Sequence, residues 1–210
     1  MKRASNSLLF LLFILFIAAG CNRQGFKANE YQLINAGAAD EMLRLFIIDN
    51  TGDSLLLRQD ARRLKKRHLD SETFSLLKSR MLATVNDSLN RGVGIAAPQV
   101  GVSVRLIAVQ RLDKAGEPFG FYINPEILAY GDSIISGREG CLSIPHYRGM
   151  VERAQSIVLE YTDEQGNKQN EEISGFTAVI FQHEIDHING VLYYDHIQNG
   201  FSSLIRMDEP

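Results

Sequence analysis

From Asp70 to Val85, apolar residues recur three and four positions apart, at Phe74, Leu77, Met81, Leu82 and Val85. That spacing predicts a helix with one core-facing side, started by Asp70-Ser71-Glu72. A second helical pattern runs from Ser174 to Gly190, with Phe176, Val179, Ile180, Phe181, Ile185 and Ile188 as its apolar positions. Ser174 is placed to cap its start and Asn189-Gly190 to end it. Between the two, the texture changes to short runs rich in Val, Ile, Phe and Tyr, at 104–110, 119–123, 134–136 and 157–162. These read as strands, with a hairpin turn at 163–167. Nearer the start, 43–48 predicts a strand or an opening helix, and Thr51-Gly52-Asp53 a turn ahead of Leu55-Leu56-Leu57-Arg58. A helix, an antiparallel set of strands and a late helix packed against them make an α+β domain, the strands gathered around the C-terminal helix.

The first twenty residues do not fit this pattern. Lys2 and Arg3 precede an apolar run at 8–19 and then Gly20-Cys21, the layout of an export signal. The segment resembles a bacterial lipoprotein signal, which implies cleavage before Cys21 and lipid on that cysteine. The other reading is an uncleaved anchor, for which the run is short. Either places the domain on a membrane; the lipoprotein reading faces it outside the cytoplasm, and a cytoplasmic location is the alternative if the signal reading is wrong. The chain then divides into a signal at 1–20, a polar tether at 21–36 and one catalytic domain at 37–210. A length of 210 residues with 45% hydrophobic content suits a single core. The formal charge of -3 comes without a long basic tract, which argues against nucleic acid as a partner. The short basic segment 62–68 reads as a solvated face.

Composition next directs attention to cysteine. The chain has two, Cys21 and Cys141. If Cys21 carries lipid, Cys141 has no disulfide partner and is kept either by burial or by a metal. In the late helix, Gln182-His183-Glu184-Ile185-Asp186-His187 sets two imidazoles on one face, about 6 Å apart along the axis. Glu184 flanks them. Two nitrogen donors, a nearby carboxylate and an open position for water suit a hydrolytic metal site, though a solvated helix face has the same spacing. The Cys141 thiolate would complete an open Cys-His-His set. In Glu139-Gly140-Cys141-Leu142-Ser143-Ile144-Pro145, Gly140 frees the backbone so that the Leu142 amide can face the same point. Gly92-Val93-Gly94-Ile95-Ala96-Ala97-Pro98-Gln99 lets backbone approach a ligand closely but lacks the ending of a phosphate loop. Gln99 can donate to a developing oxyanion or serve as an ordinary turn residue.

These three stretches, in this order, resemble the peptide deformylase family from about Leu55 to Asp195. The resemblance implies that Cys141, His183 and His187 bind one divalent metal ion and that Glu184 is the acid/base. It further implies an oxyanion hole from Gln99 and the Leu142 amide. Val93, Gly94, Phe176, Val179 and Ile180 would line a pocket for a methionine side chain. Ferrous iron is the implied metal, with zinc, nickel or cobalt able to replace it, and the substrate is a formyl-methionyl peptide that releases formate. Arg153 matches a family arginine and is expected to pair with Glu139 or Asp186, or to lie exposed. A monomer is expected. Two departures stand out: the export signal, and a chain end without the basic helix that some members use at the ribosome, which leaves ribosome contact in doubt. A membrane-tethered metallopeptidase and a catalytically inactive metal-binding lipoprotein remain as alternatives. His68, His146 and His196 are read as ordinary surface or boundary histidines.

Overall fold

A computed structural model describes residues 25–89 and 91–207. The signal segment, Cys21 and the last three residues lie outside the described residues. Four helices, α1 (Ala28–Asn35), α2 (Thr51–Leu57), α3 (Glu72–Val85) and α4 (Gly175–Ile188), accompany eight strands. The strands are β1 (Gly94–Ala96), β2 (Leu106–Gln110), β3 (Phe119–Tyr130), β4 (Ile134–Cys141), β5 (Ile144–Ala154), β6 (Ser156–Thr162), β7 (Lys168–Ser174) and β8 (Ile205–Arg206). One antiparallel sheet has the order β1-β2-β3-β6-β7 and a second the order β4-β5-β8. This is the α+β arrangement expected from the sequence.

Strand β2 explains why its run is continuously apolar. Leu106 and Ala108 join Phe74, Leu77, Met81 and Val85 of α3 in one core cluster. Ile107 and Val109 face the other way and join Phe181, Ile185 and Ile188 of α4. Both faces of the strand are covered, so alternation disappears. The Ser71 hydroxyl accepts from the Phe74 N–H at 3.2 Å and starts α3 as read. Ser174 stands at the N-cap of α4 but its side chain makes no cap bond there. The Gly175 N–H donates to the Gln155 carbonyl at 2.8 Å instead. The hairpin turn at 163–167 is present, closed by Asp163 N–H to the Asn167 carbonyl at 2.9 Å.

Several expectations are corrected. The stretch read as a polar tether contains α1, and Phe26 and Ile34 are buried. Glu30 is buried too, paired with Arg62 at 2.6 Å and accepting the Ser103 N–H at 3.1 Å. A local composition count sees a polar segment, because the partners lie far along the chain. Residues 43–48 form neither strand nor helix: the Phe46 N–H donates to the Gln99 carbonyl and the Ile48 N–H to the Ser143 carbonyl, stitching an irregular segment beside the glycine-rich stretch. Thr51-Gly52-Asp53 is the first turn of α2, capped by Asn50, whose side-chain Oδ1 accepts the Asp53 N–H. In 62–68 only part of the segment is solvated, since Leu64 and His68 are buried.

Arg80, inside α3, is 6% exposed, and its guanidinium donates to the carbonyls of Leu33, Ile34, Glu41 and Met42. One side chain thus ties α1 and the segment after it to the core. Arg80→Ala is expected to lower unfolding stability by about 2–4 kcal/mol, because it strands buried carbonyls. Urea denaturation of the metal-free protein measures this, and an unchanged midpoint would refute the clamp.

Candidate metal centre

Helix α4 carries two candidate donors, His183 and His187, and the end of β4 carries a third, Cys141. His183 and His187 stand one turn apart with ring centroids 5.1 Å from each other. The pairing of β4 with β5 slips between Glu139 and Cys141, and this bulge sets the Cys141 side chain on the α4 side. One ligand atom from each of Cys141, His183 and His187 lies within 4.8 Å of the others. Sγ is 3.1 Å from His187 Nε2. Burial pushes the Cys141 thiol up, but the two imidazoles overcome it and hold the group well below its ordinary value. A thiolate and two imidazoles at these separations fit a divalent ion roughly 2.0–2.3 Å from each donor.

Behind the donors lies a chain of charged groups. His183 Nδ1 is 2.8 Å from Glu139 Oε2, which leaves Nε2 for an ion. Arg153 donates through Nε and Nη2 to Glu139 and through Nη1 to Asp186, so it makes both expected pairs. Asp186 in turn is 2.8 Å from His196 Nε2. Burial raises the Glu139 carboxyl, yet His183 and Arg153 together bring it down to about 2. His196 is therefore part of a network that orients a donor, which periodicity had no means of revealing. His146 lines the cleft described below, in a left-handed backbone conformation (φ 66°), and His68 is buried beside Gly25.

Glu184 is 4% exposed, and its Oε2 has no hydrogen-bond partner. Burial raises its carboxyl to about 7 against the opposing pull of His183 and His187. An unpartnered buried oxygen beside an open donor set is where a reacting water fits. Gly94 makes room for it: a Cβ there would stand 2.5 Å from Glu184 Oε1. The Gln99 side chain is held by its Oε1, which accepts the Ala96 N–H at 2.8 Å. Its NH2 end is thereby aimed at Cys141 Sγ (3.4 Å) and Ser143 Oγ (3.3 Å). Leu142 follows Cys141 in the tight link to β5.

The front of this arrangement opens on a cleft of about 780 Å³. Val93, Gly94, Phe176, Val179 and Ile180 line it, as do Gln99, Cys141, Leu142, His183 and Glu184. The three separated stretches thus meet in one place. Residues 46–201 match the sequence profile of the polypeptide deformylase family. The chain belongs to that family. Peptide deformylase 2 of Nostoc sp. is 40% identical over 154 residues, covering 70% of this chain and 84% of the relative. Peptide deformylase of Agrobacterium fabrum is 41% identical over 143 residues, covering 68% and 81%. Among solved structures, the class I type b peptide deformylase of Acinetobacter baumannii bound to Met-Ala-Ser superposes with a TM-score of 0.66 at 35% identity, over 75% of this chain and 99% of that one. A Synechococcus elongatus peptide deformylase in complex with actinonin gives a TM-score of 0.64 at 34% identity, over 75% and 79%. Helix α1 precedes the matched deformylase residues.

Proposed function

We propose that the chain removes the N-formyl group from peptides that begin with formyl-methionine and releases formate by metal-dependent hydrolysis. The observation that carries this reading is the unpartnered Glu184 Oε2 beside the Cys141-His183-His187 donor set, in a cleft that Val93, Phe176, Val179 and Ile180 also line. The Met-Ala-Ser bound to the Acinetobacter baumannii relative supports a substrate that begins with methionine. When bound, a divalent ion supplies Lewis acidity toward a carbonyl oxygen and acidifies water. Val93, Gly94, Phe176, Val179 and Ile180 hold the methionine side chain and keep bulk water from the reacting carbon. Glu184 Oε2 takes a proton from the attacking water as the oxygen–carbon bond forms. It then gives that proton to the peptide nitrogen as the carbon–nitrogen bond breaks. Gln99 Nε2 and the Leu142 amide donate to the oxygen on which negative charge develops.

Formate release from formyl-Met-Ala-Ser by the metal-loaded chain, measured beside its metal content, tests the proposal. No release from a fully metallated sample would refute it. Gln99→Ala is expected to lower kcat by about 10²–10³-fold with little change in metal content. A Gln99→Ala protein with normal kcat would remove that residue from the oxyanion site.

Ferrous iron, zinc, nickel and cobalt all suit one thiolate and two imidazoles. We propose that the compartment decides. Outside the cytoplasm ferrous iron in an open site oxidises and zinc does not, so protein purified in air carries mostly zinc. Higher activity follows anaerobic reconstitution with iron or nickel. Stoichiometric iron after aerobic purification would contradict this. The localisation itself rests on residues 1–21: a lipid on Cys21 ties the chain to a membrane, facing away from the cytoplasm. Cys21→Ser is expected to block lipid incorporation, and a soluble native protein that starts at Met1 would defeat the reading. We propose a monomer as the working unit; sedimentation of the detergent-solubilised protein checks it.

A further inference from the structure

The floor of the cleft and its rim differ in charge. Inside, two carboxylates line the cleft among the described residues: Glu139 is bonded to Arg153 and His183, and Glu184 is buried. At the rim stand Arg91, Arg138 and Arg148, all exposed and all lining the same cleft. Among the described residues none of the three has a carboxylate partner, although the chain as a whole carries a formal charge of -3. Six of the ten other described arginines are paired: Arg44 with Asp53, Arg58 with Asp195, Arg62 with Glu30, Arg63 with Glu126, Arg111 with Asp113 and Arg153 with Glu139. The three come from separate places, the entrance to the glycine-rich stretch, β4 and β5. Arg148 lies across Gly140, in the space that a Cβ would take, and its Nη1 donates to the Tyr147 carbonyl. Its guanidinium is thereby held next to the Cys141 end of the cleft.

We propose that this rim is a carboxylate subsite. It takes a carboxylate carried downstream of the formyl-methionine, either the free C-terminus of a short peptide or an aspartate or glutamate side chain. Planar guanidinium groups match a carboxylate in geometry as well as charge. A cleft of about 780 Å³ accommodates a peptide of a few residues, so such a group comes within reach of the rim once the methionine is seated. The subsite rests on the deformylase reading, and it narrows the preferred substrates to short or acidic formyl peptides.

The test compares formate release by the metal-loaded full chain from formyl-Met-Ala-Ser as the free acid, the same peptide as its C-terminal amide, and formyl-Met-Ala-Asp amide. The free acid is expected to exceed the amide in kcat/KM by roughly threefold to tenfold, through KM and not kcat, as for uniform binding by exposed charges. The advantage shrinks as salt rises from about 0.1 M to about 1 M, where the Debye length falls from roughly 10 Å to roughly 3 Å. In the double variant Arg91→Gln, Arg138→Gln the ratio of acid to amide falls toward one. An aspartyl amide that matches the free acid assigns the subsite to side chains as well, and one that matches the plain amide restricts it to free C-termini. Equal kcat/KM for acid and both amides, or a preference undiminished in the double variant, overturns the subsite and leaves the deformylase reading intact. No formate from any of the three strikes at the deformylase reading itself.

Discussion

Glu184→Ala is expected to keep its metal and lose turnover, with kcat down by about 10²–10⁴-fold, the usual contribution of a positioned proton-transfer group. The side chain is not among the three that converge as donors, so metal content has no reason to fall. Its free oxygen is the only unpartnered carboxylate atom among the described buried side chains, and its removal leaves no group to carry the proton. The pH profile follows from the same burial. The base form is required to accept a proton, so kcat/KM rises with pH through the carboxyl's pKa. That value is about 7 without an ion. A bound cation favours the charged form, so the acid limb lies at or below 7. The limb disappears in the variant. Stability moves the opposite way to activity. A carboxyl raised from 4.5 to about 7 binds more protons folded than unfolded, so its contribution falls as pH rises through that window. Above it the native carboxylate costs on the order of 3 kcal/mol in the metal-free protein. The metal-free variant is therefore expected to melt no lower than the parent at pH 8, despite the lost side chain. Normal formate release would refute the proton-transfer role, and loss of metal along with turnover would recast Glu184 as support for the ion.

The parts of this molecule that were legible in the sequence are those whose causes are local. Helix α3 follows from the spacing of Phe74, Leu77, Met81 and Val85 and from a cap three residues away. The donor pair follows from one turn of α4. The third donor was offered by the one cysteine after Cys21, beside Gly140, and the cleft walls came from the family resemblance; the slipped register of β4 shows why Cys141 ends where it does. What escaped depends on partners far along the chain. Glu30 reads as one more polar residue until Arg62 and Ser103 are folded against it. Arg80 is buried in α3 beside Leu77, Met81 and Thr84, and only the carbonyls gathered around it account for its burial. Strand β7 is polar because it is an edge, paired with β6 alone and burying only Ile173. His196 belongs to the centre solely through Asp186, Arg153 and Glu139, each supplied by a different turn or strand.

Cys141→Ser is the substitution with the largest expected effect on the ion. Sγ is close to His187 Nε2 and accepts from the Ser143 N–H at 3.4 Å and from Gln99 Nε2, so the surroundings already stabilise a negative charge on that atom. A serine oxygen in the same place stays protonated near neutral pH and offers a poor, neutral donor. Loss of an orienting partner behind a metal ligand commonly costs 10–100-fold in affinity, and loss of the ligand's charge is expected to cost at least about 100-fold. Activity should vanish in every reconstituted form, whether zinc, iron, nickel or cobalt is supplied, because one missing charge weakens all four. The fold should persist, since the exchange is nearly isosteric and Cys141 contributes only a small apolar surface to the cluster with Ile144, Val151, Leu192 and Tyr193. Melting of the metal-free variant close to that of the metal-free parent, together with metal content near zero after dialysis, is the expected pair of results. Full activity with any of the four ions would remove Cys141 from the donor set, and a collapsed fold would show that the thiol serves packing before it serves the metal.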